Sequence, residues 1–195
     1  MDNDPSSDRI NSFALVSYIS GRLGDFLTGL RAELVPGCAV PAHVTILPPR
    51  PISVDADEAG RSLRGSIGSY APFTIEIHDI DVFAVTSVVF AEIGIGRKDL
   101  RRIHDELNSG AVYYKEPYSY HPHITLVQNV DREIVPELFQ TARRRWQEAS
   151  LPRVFVVDTM HFVQNTVQNQ WIDLMGYELD GDTEGELTPV RVRRR

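Results

Sequence analysis

The chain has 195 residues, of which 42% are hydrophobic and 24% are charged, a composition typical of a globular protein. Its formal net charge is −7, which excludes non-specific coating of DNA or RNA, because affinity for the backbone comes from Lys and Arg side chains that neutralise phosphates. Any contact with nucleic acid must therefore be local. Cys38 is the single cysteine, which excludes an internal disulfide and a cysteine-based zinc motif.

Both ends of the chain are predicted to lie outside one folded domain that covers residues 12–180. Residues 1–11, rich in Asp, Asn and Ser, are predicted to be a disordered lead-in, and residues 181–195 a charged, flexible tail. The N-terminal residues lack the basic and apolar regions of a signal peptide, and the most apolar window, 82–96, contains polar residues. We therefore expect a cytoplasmic monomer without a membrane anchor.

The first half of the domain begins with a strand predicted at residues 12–19, where β-branched and aromatic side chains cluster. Apolar residues then recur at steps of three and four, which predicts an amphipathic helix that contains Leu23, Phe26, Leu27, Leu30 and Leu34. Residues 43–47 form the next predicted strand, which Pro48 and Pro49 are expected to end. The remaining elements of this half are a weak helix at 56–68 and strands at 73–80 and 87–93.

The second half begins with an amphipathic helix that contains Leu100, Ile103 and Leu107 and ends at Gly110. A strand with the sequence SYHPHITLV follows at residues 119–127. A further helix, which contains Ile134, Leu138, Ala142 and Trp146, is expected to begin near Pro136, because proline suits a first helical turn. Residues 153–163 and 170–179 are predicted to form a closing pair of strands.

The order strand, helix, strand occurs twice in the domain, from Phe13 to Ile46 and from Ser87 to Leu126. No long stretch of identity accompanies the repeat, so the similarity is one of pattern. Each repeat ends in a strand that reads His, β-branched residue, Thr, aliphatic residue: His43-Val44-Thr45-Ile46 and His123-Ile124-Thr125-Leu126. A duplicated unit of this kind is what a site with two-fold symmetry requires.

Strand geometry places each histidine beside its threonine. Side chains two residues apart point to the same face of a strand, so His43 shares a face with Thr45, and His123 shares one with Thr125. The aliphatic residues between them then face the core. A pseudo-two-fold axis would bring the two polar pairs together across a central cleft.

Two such pairs suit the cleavage of a phosphodiester. One group must deprotonate the attacking oxygen and another must protonate the leaving oxygen, and histidine, with an ordinary pKa near ~6.5, can do either at neutral pH. The hydroxyls of Thr45 and Thr125 can donate to the non-bridging phosphate oxygens. This chemistry requires no metal or other cofactor.

The segments AHVTIL and PHITLV resemble the paired HxTx motifs of the two-histidine (2H) phosphoesterases, which include the bacterial 2′-5′ RNA ligase-like proteins and cyclic phosphodiesterases. The resemblance covers residues 12–180. It implies an α+β fold of two interleaved lobes with antiparallel sheets and flanking helices. It also implies that His43 and His123 form the acid–base pair, that Thr45 and Thr125 bind phosphate, and that the substrates are RNA ends or small nucleotides with 2′,3′-cyclic phosphates or 2′-5′ linkages.

Two alternative functions and the role of one residue stay open at this point. His121 lies two residues before His123, a spacing that a zinc-dependent hydrolase could use. The protein could also be a non-enzymatic module that binds a nucleotide or RNA. Arg50, which follows the first motif, is a candidate substrate-binding residue because guanidinium suits oxyanions, although a solvated loop position is equally consistent with the sequence.

Overall fold

The computed structural model of the protein describes residues 8–181. Strands and helices alternate irregularly along this range, and a short 3₁₀ turn at Gly110–Val112 precedes the second motif strand. In chain order the elements are β1 (Arg9–Tyr18), α1 (Gly21–Leu34), β2 (His43–Arg50), α2 (Ala56–Ile67), β3 (Phe73–Val82), β4 (Val89–Ile93), α3 (Arg97–Leu107), β5 (His123–Val127), α4 (Val135–Glu148), β6 (Val154–Val157), β7 (Thr159–Thr166) and β8 (Trp171–Glu178).

The strands form two four-stranded antiparallel sheets, in the orders β2-β1-β7-β8 and β5-β4-β3-β6. This arrangement confirms the predicted α+β fold with two antiparallel sheets and flanking helices. The two repeats occupy equivalent places, since β1-α1-β2 and β4-α3-β5 each put the motif strand at a sheet edge beside the first strand of its repeat. The pattern repeat therefore corresponds to a structural one.

One apolar cluster holds the two sheets and the four helices together. Its most deeply buried members come from every layer and include Leu15, Leu27, Leu63, Ile77, Leu100, Ile124 and Trp146. Because sheets and helices share this cluster, the two lobes are packed against each other and not merely linked. Among the described residues, no helix has both the length and the apolar character needed to cross a membrane.

The first strand begins earlier than the sequence predicts, at Arg9 and not at residue 12. Arg9 is registered with Thr166 of β7, and the side-chain amide of Gln164 donates to the carbonyl of Ile10. These contacts involve backbone groups and a polar side chain and no apolar side chains, so the polar sequence of residues 9–11 gave no indication of a strand. Residues 1–7 of the predicted lead-in and residues 182–195 of the predicted tail lie outside the described range.

The prediction that two prolines end the first motif strand is wrong, because β2 continues through Pro48 and Pro49 to Arg50. Proline cannot donate a backbone hydrogen bond, and in sheets it is confined mainly to edge strands. β2 is such an edge strand, with β1 as its one neighbour in the sheet. The position of the strand explains why the prolines are tolerated.

The predicted strand at residues 153–163 is two strands that belong to different sheets. β6 pairs with β3, whereas β7 pairs with β1 and β8, and Asp158 lies between them. The carbonyl of Asp158 accepts a hydrogen bond from the Leu179 amide at 2.8 Å. No glycine or proline marks the boundary, and Asp158-Thr159 is the one polar interruption of the run VFVVDTMHFV at the crossing, too short to predict a change of sheet.

We expect opposite effects on stability from Gly24→Ala and Gly29→Ala, both in α1. A Cβ at Gly24 would lie 1.8 Å from the Ile19 carbonyl oxygen, whereas a Cβ at Gly29 meets nothing within 4 Å. Gly24→Ala should therefore lower the free energy of unfolding by about 1–3 kcal/mol or more, and Gly29→Ala should raise it by about 0.5–1 kcal/mol. Urea denaturation checks both values, and equal effects would contradict the close packing of α1 on the end of β1.

Candidate active site

The two strands that carry the motifs, β2 and β5, are edges of separate sheets and lie in contact with each other. Their registers match. In each repeat the histidine and threonine are paired with residues two apart on the neighbouring strand, namely Tyr18 and Val16 in the first repeat and Glu92 and Phe90 in the second. The two motifs therefore hold equivalent positions at adjoining edges.

Burial alternates along both motif strands. The aliphatic residues Val44, Ile46 and Ile124 are 0% exposed, and Leu126 is 1% exposed. The histidines and threonines between them, His43, Thr45, His123 and Thr125, are half-buried. We call the surface formed by these four side chains the motif face.

Each motif histidine is held by the same backbone contact. The Nδ1 atom of His43 lies 2.8 Å from the carbonyl oxygen of Pro41, and that of His123 lies 2.7 Å from the carbonyl oxygen of His121. A carbonyl oxygen only accepts hydrogen bonds, so Nδ1 carries the proton in both rings. The Nε2 atom of the neutral ring is then the one with a free lone pair, and it is the atom that can exchange a proton with a ligand.

The surroundings keep both rings neutral. Burial lowers the pKa of His43 to about 4; the hydrogen bond to Pro41 opposes this, and the positive charges of Arg31 and of protonated His123 lower it further. Burial also lowers the pKa of His123, against the opposing hydrogen bond to the His121 carbonyl, and the His121 ring lowers it further.

A family model described as the 2′-5′ RNA ligase superfamily matches residues 26–169, a range that includes both motifs. The chain belongs to this superfamily. A Bacillus licheniformis protein named "Putative phosphoesterase" is 25% identical over 161 residues, which are 82% of this chain and 93% of the relative. The fold is similar to that of Escherichia coli LigT complexed with ATP, with a TM-score of 0.59, 17% identity, and coverage of 89% of this chain and 98% of that one. LigT complexed with 3′-AMP gives a TM-score of 0.59 at 15% identity, with 88% and 98% coverage.

In this member of the superfamily, His121 does not belong to a cluster of metal-ligating side chains. Its ring packs edge-on against Phe83, with ring centroids 5.1 Å apart, and against Phe90 at 5.6 Å. Its Nε2 atom is buried and has no hydrogen-bond partner in the part of the chain that the structure describes. Within residues 8–181, no group of three or more His, Cys, Asp or Glu side chains could hold a metal ion. The contribution of His121 to the motif face is its backbone carbonyl, which orients His123.

Tyr18 lies beside His43 on the first sheet and in turn contacts a carboxylate and a third histidine. The Tyr18 hydroxyl donates to Asp173 at 2.6 Å, and the Tyr18 ring lies 4.8 Å from the ring of His161 and 6.4 Å from that of His43. Burial and then the bond to Asp173 raise the pKa of Tyr18, so the phenol stays neutral. The sequence analysis did not select these neighbours, although the apolar run Phe13–Val16 of β1 indicates a strand covered on both faces.

The side of the motif face around His123 is aromatic. Phe83 and Phe90 stack with centroids 4.0 Å apart, and both rings meet His123 edge-on, at 5.1 and 5.4 Å. The two histidines therefore have different neighbours, with polar groups beside His43 and apolar rings beside His123. The pattern repeat alone could not indicate this asymmetry, since it compares only the motif residues.

Arg50 is a structural residue and not a solvated loop arginine, and the geometry does not support the expectation that it binds substrate. Its side chain is 2% exposed. Its guanidinium donates to the carbonyls of Pro48 and Val112, to Asn108 and to the carboxylate of Glu116. With these partners inside the protein, its charge is already compensated.

Arg50 is part of a clamp between β2 and the segment that leads into β5. The carboxylate of Glu116 also lies 3.0 Å from Nε2 of His104, and the His104 ring stacks on Tyr120 at 3.9 Å. The Tyr120 hydroxyl donates to the backbone carbonyl of Thr45 at 2.6 Å. One connected network thus joins the first motif strand, at Arg50 and at Thr45, to the segment that leads into the second.

We expect Arg50→Met to lower the free energy of unfolding by about 3–5 kcal/mol, because it leaves the buried Glu116 carboxylate without its main partner. The matched control is Arg102→Met, which removes a pair with Glu106 in which the two side chains are 52% and 47% exposed. That loss should cost no more than about 1 kcal/mol. Urea denaturation gives both values. Wild-type stability of Arg50→Met together with loss of phosphate binding would restore Arg50 as a substrate ligand.

Proposed function

We propose that the protein is a metal-independent phosphoesterase that opens 2′,3′-cyclic phosphates or cleaves 2′-5′ phosphodiester linkages of RNA or small nucleotides. The observation that carries this proposal is the matched pair of Nδ1 contacts, which give His43 and His123 the same tautomer on adjoining strands. Membership of the 2′-5′ RNA ligase superfamily and the name of the Bacillus relative support the same chemistry.

In the proposed reaction each histidine moves one proton through Nε2. The neutral histidine takes a proton from water, whose oxygen attacks phosphorus and forms a new P–O bond. The bond from phosphorus to one ribose oxygen breaks, and the protonated histidine donates its Nε2 proton to that oxygen. A cyclic phosphate then becomes a phosphate monoester beside a free ribose hydroxyl, and the two histidines have exchanged protonation states.

The low pKa of His43 favours it as the base for hydrolysis. Burial and two nearby positive charges lower the pKa of His43 to about 4, so its Nε2 lone pair is free at neutral pH. The anionic substrate raises the pKa of a neighbouring histidine, which favours a protonated His123 in the complex. In the reverse reaction His43 would act as the acid and His123 as the base.

Thr45 and Thr125 complete the proposed site as hydrogen-bond donors. Each lies two residues after its histidine on the same side of an edge strand and is half-buried. Hydroxyls held by a strand can be directed at the non-bridging oxygens, where negative charge grows as water attacks. Their rigid support reduces the reorganisation needed during the reaction.

We expect His43→Ala and His123→Ala each to lower kcat on 2′,3′-cyclic AMP by about 10²–10⁴-fold, because each variant lacks one proton-transfer group. The double variant should lose less than the product of the two losses, because the histidines act in one step. Steady-state kinetics on protein shown to be folded by circular dichroism measures these values.

Two controls accompany these variants. His78→Ala removes an exposed histidine of β3 and should leave turnover unchanged, and His121→Ala should have a small effect because the orienting group of His121 is its backbone carbonyl. Incubation with EDTA should also leave turnover unchanged. Near-wild-type turnover by either motif variant would overturn the mechanism, and loss on chelation with recovery on added zinc would favour a zinc hydrolase.

We expect the pH profile of kcat/KM to be bell-shaped, with its optimum on the acid side of ~6.5, the ordinary pKa of histidine. Activity should rise as pH passes the lower pKa, because the base must be neutral, and fall as pH passes the higher pKa, because the acid must be protonated. Both values lie below the ordinary one in the free protein, and that of His43 is about 4. The two limbs belong to the coupled pair. An optimum above pH ~7.5 would contradict this electrostatic description of the site.

A further inference from the structure

Arg31 is a buried arginine whose guanidinium is incompletely hydrogen-bonded within the described range. It lies on the inner face of α1 beside Leu27, Leu30 and Leu34, and it is 4% exposed. Its Nε and Nη1 atoms are buried and have no hydrogen-bond partner among residues 8–181. Arginine keeps its positive charge in proteins, so this position holds a cation in apolar surroundings.

The comparison with Arg50 shows how unusual this arrangement is. Both guanidinium groups are nearly inaccessible to solvent, yet Arg50 has four protein partners, one of which is a carboxylate. Within the described range no carboxylate forms an ion pair with Arg31. Its polar neighbour is Cys38, and a thiol is only a weak acceptor. A buried donor without an acceptor is costly, so Arg31 calls for an anion that residues 8–181 do not supply.

The location of Arg31 connects it to the motif face. α1 packs against β5, the second motif strand, and the loop after α1 leads through Cys38 and Pro41 into β2. The positive charge of Arg31 contributes to the lowered pKa of His43, which agrees with this placement. A positive charge behind the junction of the two motif strands would attract an anion bound there.

We propose that Arg31 is an anion-binding residue of this site and donates hydrogen bonds to a phosphoryl oxygen held between the two motifs. The inference rests on the proposed function, because it assumes a phosphoryl group at the motif face. Arg31 would supply the fixed positive charge that the two threonine hydroxyls lack. Attack by water concentrates negative charge on the non-bridging oxygens, and a guanidinium that needs no reorganisation stabilises that charge. Within residues 8–181 the cation has no carboxylate partner, and the phosphoryl group of the ligand compensates it.

The test compares wild type with Arg31→Met, Arg31→Lys and the control Arg22→Met. Methionine keeps much of the length of arginine without its charge, and Arg22 is an exposed residue of the same helix. Three quantities are measured for each protein: the melting temperature with and without inorganic phosphate, the affinity for inorganic phosphate by calorimetry, and kcat and KM on 2′,3′-cyclic AMP.

We expect Arg31→Met to weaken phosphate binding by about 10–100-fold, the range for hydrogen bonds to charged groups. It should also raise the melting temperature of the phosphate-free protein by about 2–4 °C, because an uncompensated buried charge is removed. Phosphate should then stabilise this variant much less than wild type. Arg31→Lys should retain part of the affinity, and Arg22→Met should behave like wild type.

Two outcomes would overturn the inference. One is phosphate affinity in Arg31→Met or Arg31→Lys equal to that of wild type. The other is a marked loss of stability in Arg31→Met with unchanged KM and kcat in Arg31→Lys, which would assign Arg31 a purely structural role. The proposed function fails separately: wild type that binds phosphate through Arg31 and does not turn over cyclic phosphates or 2′-5′ linkages would overturn the substrate assignment and leave the anion site standing.

Discussion

β2 and β5 are edge strands that lie beside each other without joining their sheets, and the motif face depends on this arrangement. An edge strand has free backbone groups on one side, and two adjoining edges would ordinarily pair into one continuous sheet. Pro48 and Pro49 remove two backbone donors from β2 and so reduce its capacity to pair. Each strand keeps its own register, which places His43 and His123 at equivalent positions.

Strand alternation then divides each motif between two tasks. The aliphatic residues pack in the apolar core and so fix the position of the strand. The histidine and threonine point away from that core. The carbonyl two residues before each histidine sets the tautomer of its ring. Once the two edge strands lie side by side, a few residues of each motif determine the position, the burial and the tautomer of its histidine.

The clamp from Arg50 and Tyr120 brings these edges together and contrasts with the unpaired Arg31. Arg50 contributes a charge that Glu116 compensates within the protein, so it stabilises the relation between β2 and the segment before β5. Arg31 contributes a charge that no carboxylate in the described range compensates. Two buried arginines of similar exposure thus have opposite effects on the free protein. Arg50 stabilises the contact between β2 and the segment before β5, whereas Arg31 carries a charge that residues 8–181 do not compensate.

The α+β fold and the two motif strands could be predicted from the sequence because both rest on local patterns. Period-two alternation shows which face His43 and Thr45 share, and steps of three and four residues mark α1. The partners of Arg50 could not be predicted, since Asn108 and Glu116 come from a distant loop whose approach depends on the whole fold. The crossing at Asp158 was missed for a related reason, because which sheet a strand joins is decided by long-range packing.

The pairing of β1 with β7 has a consequence for how the protein is made. Phe13 is registered with Gln164, so one side of the first strand finds its partner only near the end of the chain. At a synthesis rate of about 5–20 residues per second, that side stays open for roughly 10–30 s while the ribosome completes the interval. β1 is apolar on both faces, and an open apolar strand is prone to pair with other chains. The nascent chain thus passes through a period of exposure to aggregation that a tandem arrangement of two self-contained lobes would avoid.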